Sequence, residues 1–210
     1  MKFEDLIKKV GYLPAFKVSF LAAGGSLEQI RLQISRWVND GKVIRLHKGL
    51  YTLAEPYRKT DCQPFNIANS LKKASYVSLQ SALSWHGIIP EYVPSVTCVT
   101  TDRPQTIETP LARFEFRHIS NKLFWGYQQT ILKQEQSTFI ATPEKALLDL
   151  AYLTPGSDSM QFLKELRLQN FEKINIAVLN QFTEKFQSPK IKRATSMIEE
   201  ILKSDEGIEI

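Results

Sequence analysis

Gly41-Lys42-Val43-Ile44-Arg45-Leu46-His47-Lys48-Gly49-Leu50-Tyr51 reads as a basic β-hairpin. From Val43 to His47 the side chains alternate, which sets Ile44 and Leu46 on one face of a strand and Arg45 and His47 on the other. Lys48-Gly49 supplies a tight turn, and Leu50 to Ala54 returns as the second strand. The outer face and the tip are therefore basic. Taken alone, such a hairpin is an ordinary surface element, and the residues before it change its meaning.

From Ser26 to Asp40 the apolar residues Leu27, Ile30, Ile34, Trp37 and Val38 recur at helical spacing. At about 100° per residue they gather on one face of a single helix. Ser26 suits its N-cap, and Gly41 suits its C-terminus because glycine tolerates the left-handed conformation found there. Glu28, Gln29, Leu32, Ser35, Arg36 and Asn39 point away from the core, with Arg31 and Gln33 on the flanks. Asn, Gln and Arg have the geometry to read base edges in a major groove, where a helix fits, whereas Lys and Ser more often hold phosphate.

Helix, glycine and basic hairpin follow one another as in a winged helix-turn-helix, whose recognition helix enters the major groove while the wing touches the backbone or the minor groove. Upstream, Phe3, Leu6, Ile7 and Val10 predict a short helix ending at Gly11. Ala15 to Ala22 predict a second, before the turn Gly24-Gly25-Ser26. Residues 1–58 are thus expected to form a DNA-binding domain. The DNA-facing set comprises Ser26, Gln29, Arg31, Gln33 and Arg36 on the helix, with Lys42, Arg45, His47 and Lys48 on the wing; the plainer alternative is a solvated helix beside a surface hairpin.

Charge divides the chain at the same place. Residues 1 to 60 hold eleven Lys and Arg against five Asp and Glu, a balance of +6, so the rest carries 16 minus 17, or −1, of the net +5. A phosphate polyanion is the partner that such asymmetry favours.

At 210 residues, 43% hydrophobic and 23% charged, the chain is long enough for one large domain or two modest ones. It has no run of eighteen apolar residues, and Met1-Lys2-Phe3-Glu4-Asp5 places acids where a signal peptide needs an apolar core, so a soluble, cytoplasmic protein with no membrane partner is expected. Cys62 and Cys98 are too few for a disulfide framework and lack metal-ligand spacing; both are expected to be reduced, with Cys98 buried in a strand.

Glu55 to Pro64 is the linker candidate, and residues 64–210 the second, α/β domain. There Phe65 to Lys73 and Tyr76 to His86 read as helices, the latter capped by Gly87. Val93 to Thr101, Ala112 to Ile119, Leu123 to Ile131 and Phe139-Ile140 read as strands of a small mixed sheet. Thr142-Pro143-Glu144-Lys145 opens a helix, with Thr as N-cap, Pro at the first helical position and Glu in the first turn. Asp158 to Leu168, Ile174 to Phe186 and Pro189 to Lys203 complete a helical C-terminus. The fold class expected is α+β, a winged helix-turn-helix followed by an α/β domain.

Three stretches stand in order: the wing Gly41 to Tyr51, then Tyr76-Val77-Ser78-Leu79-Gln80-Ser81-Ala82-Leu83-Ser84-Trp85-His86-Gly87, then Pro143-Glu144-Lys145-Ala146-Leu147-Leu148-Asp149-Leu150. In order and separation the chain resembles the AbiEi-type antitoxin family over roughly residues 5 to 185. The resemblance implies a bacterial or archaeal antitoxin of a type IV toxin-antitoxin pair, often serving phage defence. Such a protein represses its own operon by binding double-stranded promoter repeats through the N-terminal domain, and counters a nucleotidyltransferase-like toxin encoded beside it. By position, Gln29, Arg36, Arg45 and Lys48 would meet DNA, while the second and third motifs look structural. Similar proteins also occur as regulators without a toxin.

No enzyme signature competes strongly. His47, His86 and His118 lack the spacing that places two metal ligands on one helix face, and neither a glycine-rich phosphate loop nor a Gly-x-Ser-x-Gly elbow is present. A metal-dependent nuclease with a winged-helix targeting domain is the alternative, drawing on Asp102, on Glu115 with Arg117, and on Glu144 with Lys145. First-turn chemistry explains Glu144-Lys145 better, and a solvent-facing strand explains Glu115 and Arg117. The expectation is a non-catalytic protein without cofactor or metal.

Overall fold

The computed structural model describes residues 1–21 and 26–206, with side chains to residue 203. It is an α+β protein with two sheets. The first body comprises α1 (Phe3–Val10), β1 (Phe16–Lys17), a 3-10 turn at Val18–Leu21, α2 (Leu27–Asn39), β2 (Val43–His47) and β3 (Leu50–Leu53). Its antiparallel sheet runs β1-β3-β2. Leu6, Val10, Phe16, Val18, Leu21, Ile30, Ile34, Val43 and Leu53 form its core.

The helix expected over Ala15 to Ala22 is replaced by β1 and the 3-10 turn. Phe16 and Val18 are buried and Lys17 between them is exposed, which is strand period, and pairing with Tyr51 and Leu50 provides partners that so short a helix would have lacked. Ala22, Gly24 and Gly25, and with them most of the expected turn, lie outside the described residues. Asp40 ends α2, and Gly41 follows at φ +70° as expected of a glycine after a helix. Ser26 occupies the N-cap position, but its hydroxyl makes no capping bond.

The hairpin departs from simple alternation. Its register shifts between Arg45 and His47, so that Arg45 faces Tyr51 and His47 faces Leu50, leaving Leu46 at a bulge. Both of its faces are used. Val43 and Leu53 belong to the small core, whereas Leu46 and Leu50 join the core of the second body.

That second body contains α3 (Pro64–Leu71), β4 (Ser75–Val77), α4 (Leu79–His86), β5 (Ser95–Thr100), β6 (Gln105–Glu108), β7 (Arg113–His118), β8 (Tyr127–Ile131), β9 (Ser137–Ala141), α5 (Pro143–Leu153), α6 (Met160–Glu165), α7 (Ile176–Phe186) and α8 (Pro189–Glu206). Its six-stranded sheet runs β6-β7-β5-β4-β9-β8 and is mixed: β4 with β9 and β5 with β7 are parallel, the other pairs antiparallel. The single helix expected from Tyr76 to His86 is instead strand β4 followed by α4, because Tyr76 and Val77 pair between β5 and β9 at the centre of the sheet. Residues Gln105 to Glu108 form an edge strand that their short, polar sequence hid. Leu123 to Ile131 is strand only from Tyr127, after a 3-10 turn at Asn121–Leu123.

The stretch Glu55 to Pro64 is tied to both bodies. The Lys59 N–H donates to Gly11 O at 3.0 Å and the Thr60 hydroxyl to Tyr12 O at 3.0 Å. On the other side, the Asp61 N–H donates to Gln134 Oε1 and Gln136 Nε2 donates to Asp61 O, both at 2.7 Å. Among the described residues, no helix is long and apolar enough to cross a membrane.

Candidate nucleic-acid interface

Lys17 from β1, Arg31 from α2, and Arg45 and Lys48 from the hairpin line one open concavity of about 600 Å³, together with Val18, Ser19, Gly49 and Tyr51. The lining holds four cations and no acid. Each element contributes for a local reason. Strand β1 pairs through Lys17 and Leu50 beside the Lys48-Gly49 turn, Arg45 lies opposite Tyr51 on the exposed edge of β2, and Arg31 stands on the flank of α2 that turns toward the hairpin. Among the described residues none of these cations is held in an ion pair, although surface arginines elsewhere are, as in Arg193 with Asp158 and Arg113 with Glu115. Four like charges with no acid among them suit an anion, and their spread over an open surface suits a chain of phosphates.

Beside the concavity, α2 exposes Ser26, Gln29, Arg31 and Arg36, with Gln33 half-buried on the opposite flank. The sequence-derived set is therefore split by the fold. Arg31, Arg45 and Lys48 come together; Ser26, Gln29 and Arg36 lie on the free face of the adjoining helix. Lys42 points elsewhere, with Nζ 5.3 Å from the centre of the Phe3 ring, and the half-buried His47 does not line the concavity. Lys17 was missed because residues 15 to 22 read as a helix. Once Phe16-Lys17-Val18 is recognised as alternating, Lys17 falls on the solvent side next to the hairpin.

A second polar constellation lies in the larger core. Lys145 and Asp149, one turn apart on α5, form an ion pair with both side chains 0% exposed. Tyr76 Oη donates to Asp149 Oδ2 at 2.9 Å, the Ser78 hydroxyl donates to the same oxygen at 2.8 Å, and Lys145 Nζ donates to Tyr76 Oη at 2.9 Å. Burial pushes the Lys145 ammonium down and the Asp149 carboxyl up, each opposed by the other's charge, and burial raises the Tyr76 phenol. The lysine stem runs against Gly126, where a Cβ would come within 2.9 Å of Lys145 Cγ, and the ammonium lies 5.0 Å from the Trp125 ring centre. All four side chains are buried, and their bonds tie α5 to β4 and the residue after it. Glu144 stands in the first turn of α5 and Thr142 accepts from the Lys145 N–H, as expected of that opening; beyond it, Glu144 accepts from the Asn175 N–H at 2.8 Å and the Lys145 side chain serves Asp149.

Asp102, Glu115 and Glu144 are dispersed. Glu115 pairs with Arg113, Arg117 donates to the Leu153 carbonyl, and the Asp102 N–H donates to the Thr100 hydroxyl. His86 Nε2 lies 2.8 Å from Ala141 O, and His118 Nδ1 lies 3.0 Å from Asp102 O. Among the described residues no group of three or more His, Cys, Asp or Glu side chains is placed to hold a metal ion.

No protein-family model matches the chain, and no curated protein matches it. Among solved structures it is similar to the crystal structure of the Rv2827c protein from Mycobacterium tuberculosis, with a TM-score of 0.54 at 11% sequence identity, covering 92% of this chain and 76% of that one. At that identity the likeness concerns the fold alone.

Proposed function

We propose that this protein is a DNA-binding transcriptional autorepressor and the antitoxin of a type IV toxin-antitoxin pair. The observation that carries the DNA-binding part is the concavity of Lys17, Arg31, Arg45 and Lys48, unpaired among the described residues and set beside the exposed face of α2. The chain order helix, strand, helical turn, helix, hairpin, with β3 between β1 and β2, supports reading residues 1–58 as a winged helix-turn-helix in which the 3-10 turn replaces the second helix. On this reading α2 enters the major groove, where Gln29 and Arg36 meet base edges, and the hairpin cations take the flanking phosphates.

The antitoxin part rests on the resemblance of the wing and of the Tyr76 to Gly87 and Pro143 to Leu150 stretches to the AbiEi-type family. In this role the protein counters a nucleotidyltransferase-like toxin encoded beside it. Two measurements test the two parts separately: binding to the DNA upstream of the protein's own gene, and growth of cells expressing the neighbouring reading frame with and without this protein. Binding without rescue leaves a regulator alone, and rescue without binding removes the autorepressor.

A further inference from the structure

Leu32 is 59% exposed in the middle of α2, while Ile30 and Ile34 beside it in sequence are buried. At about 100° per residue it falls at the centre of the face opposite the core, with Glu28, Ser35, Arg36 and Asn39 around it. It packs against neither hydrophobic core. An exposed leucine is unremarkable by itself. Its surroundings give it meaning, since it is the apolar centre of a polar face, next to a concavity that holds four cations and no acid.

If the cations seat a DNA backbone, the centre of this helix face meets the floor of the major groove. Glu28 agrees with that placement: a carboxylate has no favourable contact with phosphate, but it accepts a hydrogen bond from the cytosine amino group on the groove floor. On that floor the apolar group offered by ordinary DNA is the C5 methyl of thymine. We propose that Leu32 reads thymine in the operator through this methyl, as a specificity-determining contact. The inference rests on the DNA-binding function proposed above. 5-Methylcytosine carries the same methyl, so thymine and methylated cytosine must be separated by experiment.

The probe is a library of random-sequence duplexes selected for binding to the full chain, followed by titration of the enriched duplex with single replacements of thymine by deoxyuridine, which removes only the methyl. At one or more positions the wild-type protein should bind the deoxyuridine duplex about fourfold more weakly, the effect of burying one methyl group. Leu32→Ala should bind both duplexes equally, with the affinity of the wild type for the deoxyuridine duplex and an unchanged circular dichroism spectrum. The proposal is overturned if no thymine replacement weakens the wild type, if Leu32→Ala keeps the same methyl dependence, or if only 5-methylcytosine in place of cytosine changes affinity. Failure to enrich any sequence from the thymidine library would instead overturn the DNA-binding function itself, and the Leu32 contact with it.

Discussion

Lys145 shows how a single residue's role depends on partners distant in sequence. Its spacing to Asp149 is plain in the chain, but Tyr76 and Ser78, which complete the network, arrive from β4 and the residue after it. From sequence, a lysine three residues after an N-cap threonine reads as solvated, and nothing local says that α5 will be enclosed on all sides. Removing one member of such a pair strands a buried charge. Lys145→Met is therefore expected to lower unfolding free energy by about 3 to 5 kcal/mol, and pairing it with Asp149→Leu should recover only part of the loss, because the buried Tyr76 and Ser78 hydroxyls then lose their acceptor. Denaturant titration of Lys145→Met and of the double variant checks this, and a Lys145→Met protein as stable as the wild type would show that loss of the lysine does not strand Asp149.

Between elements, the legible and illegible parts separate by the range of the interactions that decide them. Helix α2 and the Lys48-Gly49 turn were readable because their periodicity, glycines and apolar stripe are local. Strand β1 was not, since Phe16-Lys17 is strand only by virtue of pairing with β3 some thirty residues later, and β4 was absorbed into the helix it precedes. The same long-range pairing hides Lys17 from a local reading that does find Arg31, Arg45 and Lys48. The basic concavity carries its own prediction. If each cation there meets a phosphate, Arg45→Ala should weaken binding to all duplexes alike and reduce the slope of log affinity against log salt by about one. A loss confined to one sequence, with the slope unchanged, would make Arg45 a base reader instead.

Across the whole molecule, the hairpin belongs to two cores at once. Val43 and Leu53 face the small core while Leu46 and Leu50 join the large one, and the stretch from Lys59 to Asp61 bonds to both bodies. Alternation sets Val43 and Leu46 on opposite faces, but it does not show that both faces will be covered, because the second core is assembled from residues far along the chain. Leu46, 2% exposed, should behave as an interior residue of the full chain. Its replacement by alanine is expected to cost about 2 to 5 kcal/mol, with residues 1–58 and the remainder unfolding in a single transition. Two separated transitions in calorimetry would show that the hairpin does not couple them.

The proposed DNA-binding function is tested most directly by a mobility-shift titration of the full chain against the DNA upstream of its own gene, with an unrelated fragment of equal length as control, at several salt concentrations. The basic concavity beside the exposed face of α2 predicts a tighter shift of the upstream fragment, weakening steeply as salt rises. Equal binding to both fragments, or none, would contradict it.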